Sequence, residues 1–132
     1  MMQYVMKAVA TMIFVAVLLT SAACGQSRKN LNVNEAKAMI DKGGVTLIDV
    51  RTPDEYKGGH IKNAANINVN DANFETRIAK LDKNKPVVVY CAVGGRSSRA
   101  ADIMVQKGFK NVYNVSGGYN AWSAAALPST TK

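Results

Sequence analysis

A chain of 132 residues, 48% hydrophobic and 20% charged, has room for one domain and excludes a multidomain assembly. Its formal net charge of +8 and pI near 9.7 suit an anion-binding surface, yet Lys37, Lys42, Lys57, Lys62, Lys80 and Lys110 stand singly, with no clustered basic face and no interleaved aromatics, so nucleic acid is not expected as a partner. Two cysteines without a CxxC give neither a disulfide scaffold nor a zinc pattern, and no cofactor or metal is expected.

In chain order, residues 1–23 read as a signal peptide. A lone Lys7 precedes a run with no charge from Ala8 to Gly25, and the run ends in the small residues Ser21, Ala22 and Ala23. An uncleaved anchor is the competing reading, because about 20 apolar residues are usual for a bilayer span. Either way the domain is exported, to the periplasm or cell envelope. The run "LLTSAACGQS" resembles the processing site of bacterial lipoproteins, which makes Cys24 the candidate lipidated residue, although Ser21 stands where a large aliphatic side chain is usual. Residues 24–33 then read as a tether, 34–127 as the domain and 128–132 as a frayed tail.

From Asn34 onward helical and extended patterns alternate, the signature of an α/β domain with a parallel central sheet flanked by helices on both faces. Asn34 is a cap candidate for a helix through Met39 and Ile40 that the following glycines stop. "VTLIDV" reads as a buried strand. "TPDEYKGG" reads as a short helix capped by Thr52, with Pro53 in its first turn and Gly58 and Gly59 at its end. "AANINV" is a weaker strand, and "NFETRIAKLDKN" has helical spacing through Phe74, Ile78 and Leu81. The β-branched run "VVVYC" after Pro86 marks a strand buried on both faces, hence central. A helix over "RSSRAADIMVQKGF", a strand "NVYNV" and a helix over "SGGYNAWSAAAL", closed by Pro128, complete the domain.

In such a sheet, ligands gather where the carboxyl ends of strands meet helix N-termini, and Cys91 stands at that place. The amides from Ala92 through Ser97 can curl around its sulfur, Gly94 and Gly95 permit the necessary backbone turns, and the following helix adds the positive end of its dipole. These donors favour the thiolate. Arg96 adds a planar cation suited to an oxyanion, so the cradle of Cys91, Ala92, Val93, Gly94, Gly95, Arg96 and Ser97 fits a substrate both electrophilic and anionic. Sulfur transfer and phosphoryl transfer both meet that description. Cysteine phosphatases have a loop longer by a residue; here four residues separate Cys91 from Arg96, and no acid lies near them in sequence. The smaller ring favours a sulfur atom over a tetrahedral phosphate.

From Leu31 to Leu127 the chain resembles the rhodanese domain in three ordered motifs: "LIDVRTPDEYKGGHIKNAANI", "VVVYCAVGGRSSRAA" and "NVYNVSGGYNAW". The resemblance implies a rhodanese-like fold and a monomeric thiosulfate sulfurtransferase. Cys91 would take the outer sulfur of a small anionic donor as a persulfide and pass it to cyanide or a thiol. It implies that Arg96 binds the sulfonate end, and it tilts donor choice toward thiosulfate, because the related mercaptopyruvate enzymes usually lack that arginine. Asp49, Arg51 and His60 of the first motif are implied as supporting residues, the first two in a polar network behind the loop. Asn68 stands where the family often has proline, and Ala92 and Val93 make the loop apolar. A module that carries sulfur or binds a partner without free turnover is the alternative.

Overall fold

A computed structural model describes residues 28–132; the expected signal peptide, Cys24 and the first part of the tether lie outside the described residues. The elements run β1 (Lys29–Leu31), α1 (Val33–Lys42), β2 (Thr46–Asp49), α2 (Pro53–Gly58), β3 (Ala65–Asn66), α3 (Phe74–Ile78), β4 (Val87–Tyr90), α4 (Gly95–Gln106), β5 (Val112–Val115) and α5 (Gly118–Ala124). All five strands are parallel, in the order β1-β5-β4-β2-β3. The "VVVY" run is thus the central strand, as its composition requires, and it is buried along its whole length.

Strand side chains alternate between two cores. Val87, Val89 and Cys91 join Ile48, Val50, Phe74, Ile78, Ala100, Ala101 and Met104 on the face covered by α3 and α4. Val88 and Tyr90 join Leu47, Val115, Ala36 and Trp122 on the face covered by α1 and α5. Helices on both faces are therefore observed, and the alternation sends the Cys91 side chain toward α4.

Three local expectations change. The N-cap of α1 is Asn32, not Asn34: its side chain accepts the Glu35 N–H at 2.9 Å while Glu35 accepts the Asn32 N–H at 3.1 Å. This reciprocal box satisfies two of the donors that a helix start leaves open and contributes about 1 kcal/mol. The stretch 24–33, read as tether, contains β1, which pairs with β5 through Leu31 opposite Val115, so the folded unit already includes Lys29. The tail is also not frayed. Thr130 pairs with His60 through two backbone hydrogen bonds of 2.9 and 2.8 Å, and the Trp122 indole donates to Pro128 O at 2.9 Å.

Candidate active site

Cys91 follows β4 directly, is fully buried, and is a free thiol among the described residues. Its Sγ accepts the Gly94 N–H at 3.0 Å and the Ser97 hydroxyl at 3.3 Å. That hydroxyl also lies 3.2 Å from Gly94 O, so a single proton is shared between carbonyl and sulfur. Burial opposes the anion and is the largest influence, but the Ser97 hydroxyl and the amides of Ser97, Gly94 and Val93 together outweigh it, leaving the thiol below its ordinary 9.0.

The amides face the sulfur because the loop's carbonyls are held elsewhere. Tyr119 N–H donates to Cys91 O at 2.7 Å and Asn120 N–H to Ala92 O at 3.0 Å, so the start of α5 draws both oxygens away from the cradle. Gly118 makes that approach possible: with φ +57°, a Cβ on it would lie 2.5 Å from Cys91 O and 2.7 Å from the Ala92 carbonyl. Gly94, at φ +112°, turns the chain from the loop into α4. Ala92 is half-buried, and Val93, 67% exposed, forms an apolar lip on the loop.

Arg96 sits in the first turn of α4, and its guanidinium is not free. Nη1 and Nη2 donate to Glu55 Oε1 and Oε2 at 2.7 and 2.9 Å. Glu55 is held from behind by the capping box of α2, accepting from the Thr52 hydroxyl at 3.1 Å and, more loosely, from the Thr52 N–H. The Arg96 hydrogen bonds, above all, bring the Glu55 carboxyl down to about 2. Arg96 is raised in turn, chiefly by the same hydrogen bonds, with a smaller contribution from the Cys91 charge. Glu55 appears in the first sequence motif only as part of its pattern. Thr52 and Glu55 at capping-box spacing signal a helix start, but nothing in sequence shows that the carboxylate reaches an arginine 41 positions away.

Asp49 and Arg51 form a buried pair behind the loop. Arg51 Nη2 lies 2.7 Å from Asp49 Oδ2, donates to Gly59 O at 2.6 Å, and its Cζ is 4.3 Å from the Tyr119 ring centroid. Tyr119 is the residue whose amide holds Cys91 O, so the pair supports the loop at one remove. Removing one partner of such a pair costs about 3–5 kcal/mol. His60 is buried too, but it stacks on Tyr56 at 3.6 Å between centroids and bonds Tyr56 O and Lys132 O through its two ring nitrogens. None of these bonds reaches the Cys91 loop. Arg99 turns to the Asn70 side chain at the surface. Among the described residues no cluster of three or more His, Cys, Asp or Glu could hold a metal. A groove of about 570 Å³, lined by Leu31, Met39, Val45 and Tyr113, lies toward the opposite end of the strands from Cys91.

The loop, with its sulfur, inward amides and nearby cation, is therefore a single unit, while Asp49, Arg51 and His60 stand outside it. Residues 32–125 match the family model of the rhodanese-like domain. The chain is 35% identical over 99 residues to thiosulfate sulfurtransferase GlpE of Shewanella oneidensis, covering 75% of this chain and 96% of that protein. It is 38% identical over 96 residues to thiosulfate sulfurtransferase GlpE of Coxiella burnetii, covering 73% and 88%. A crystal structure of a rhodanese-related protein from Thermoplasma volcanium superposes with a TM-score of 0.71 at 28% identity, over 79% of this chain and 99% of that one.

Proposed function

The chain belongs to the rhodanese-like domain family and is a sulfurtransferase, and from that premise we propose that Cys91 carries the sulfur as a persulfide, taken from thiosulfate or a similar sulfane donor. The observation that carries this reading is the cradle: a buried Sγ that accepts from the Gly94 amide and the Ser97 hydroxyl and is drawn toward its anion. In the first step the thiolate attacks the outer sulfur of thiosulfate. The Cys91–S bond forms, the sulfur–sulfur bond of the donor breaks, and sulfite leaves with the electron pair. The charge stays near the sulfur throughout, so the donors that held the thiolate also hold the terminal sulfur of the persulfide. In the second step cyanide or a thiolate attacks that terminal sulfur and Cys91 returns as thiolate. In this reading Arg96, the cation of the loop, meets the sulfonate, and it must exchange its hydrogen bonds to Glu55 to do so.

Thiosulfate incubation is expected to add the mass of one sulfur to the protein and, with cyanide present, to release sulfite and thiocyanate; Cys91→Ala should do neither. Loading of Cys91 with negligible turnover would instead favour the sulfur-carrier reading, which the exposed Val93 at the lip supports as a surface for a partner. No loading at Cys91 would overturn both.

A further inference from the structure

Arg96 is the one cation of the segment from Cys91 to Ser97, and both its terminal nitrogens are engaged by Glu55. A sulfonate presents a guanidinium with the same two-oxygen edge as a carboxylate, so donor and Glu55 compete for one fork. With Cys91 ionised, the thiolate, Glu55 and Arg96 sum to one negative charge, and the Asp49–Arg51 pair, close enough to act on Arg96 and Glu55, adds no net charge to it. An incoming dianion must therefore displace a tethered carboxylate and then sit beside it. Nor does ordinary acidity release the latch, since Glu55 stays ionised down to about 2. The helix itself does not require this charge, because a glutamine completes a capping box as well as a glutamate. Within the loop itself, Ala92 and the 67% exposed Val93 contribute apolar side chains and no further charge.

We infer that Glu55 is a specificity-determining residue, which occupies Arg96 against dianionic thiosulfate and biases the site toward singly charged organic sulfane donors such as thiosulfonates. The inference rests on the sulfur-transfer reading, because it assigns the donor class of the same cysteine. With a thiosulfonate, R–SO2–S⁻, the Cys91 thiolate attacks the terminal sulfur, the Cys91–S bond forms, the donor's S–S bond breaks, and the sulfinate R–SO2⁻ departs with the electron pair. The total charge is the same before and after, and the apolar side chains of Ala92 and Val93 suit an organic R better than a second charge.

The test compares thiosulfate with methanethiosulfonate, which differ by one charge, in wild type and Glu55→Gln at fixed ionic strength. Coulomb energy is linear in donor charge. A fall of about threefold in KM for the monoanion therefore implies about tenfold for the dianion, with kcat moving far less than KM for both. In an Arg96→Ala background the same substitution should shift the ratio of the two donors' kcat/KM less than it does in the wild type, because competition for the guanidinium is gone and only the direct repulsion by Glu55 remains. Equal shifts for both donors, or a thiosulfate KM that stays fixed or rises in Glu55→Gln, overturn the inference. Should Glu55→Gln melt early, the wild type supplies a second measurement: sulfate, an inert dianion, should fail to protect Cys91 from methanethiosulfonate loading, and protection below millimolar sulfate overturns the proposal. If wild-type Cys91 loads from neither donor, the sulfur-transfer reading itself falls; if it loads and Glu55→Gln changes nothing, only the role of Glu55 falls.

Discussion

The reactivity of Cys91 depends on a proton that Ser97 shares between Sγ and Gly94 O. Ser97→Ala removes a donor that favours the thiolate and leaves the opposing effect of burial in place, so the Cys91 titration should move up toward 9.0. A hydrogen bond of this kind is worth about 1 kcal/mol, and iodoacetamide alkylation at pH 7 should slow about fivefold. The gap should close above pH 9, where both thiols are ionised; equal rates at pH 7 would show that the amides suffice. Cys91, its glycines, Arg96 and Ser97 were legible in sequence because they are contiguous: one strand end, one turn and one helix start fix their relation. Glu55 was not, because its partner comes from another layer of the fold, and only tertiary packing brings α2 against the start of α4.

Among the elements, α5 contributes more than packing. Its first amides hold the carbonyls of Cys91 and Ala92, across a contact that leaves no room for a methyl group at Gly118. Gly118→Ala would push a Cβ into backbone atoms on a residue already at φ +57°. The expected result is a folded protein whose kcat/KM for sulfur transfer drops about 100-fold, as misplacing a reacting group by an ångström does. Circular dichroism and turnover measured together would check it, and wild-type activity would show that the loop holds its own shape. Gly117 and Gly118 are the glycine pair of "NVYNVSGGYNAW", the third motif, and the close approaches at both give that pattern its physical reason. Strand β1 escaped notice because Lys29 and Asn30 are exposed and only Leu31 is buried, too short and polar a segment to show a period of two. Likewise the tail at Thr130 is fastened by backbone bonds, which carry no side-chain signature.

At the scale of the molecule, the alternating βα pattern sufficed for the parallel sheet and its two helical layers, because a strand buried on both faces has few other ways to be covered. Strand order was not readable, since it depends on which edges the helices leave open. We propose, from the uncharged run and the small residues before Cys24, that the domain is exported and lipid-tethered. Labelled palmitate should enter the wild type and not Cys24→Ser, and only the wild type should sediment with membranes; a soluble, unlabelled wild type would count against the tether. With Lys29 already in the sheet, the leash from Gly25 to Arg28 would reach no more than about 15 Å at full extension. The dependence of the cradle on α5 has a consequence in time. Synthesis runs from the N-terminus, so Cys91 is made before Gly118, Tyr119 and Asn120, and a growing chain carries an ordinary thiol on an unformed loop. A polypeptide cut short before the C-terminal helix is expected to keep an ordinary thiol at Cys91 and to lose sulfur-transfer activity, since the carbonyls of Cys91 and Ala92 would have no α5 amides to hold them.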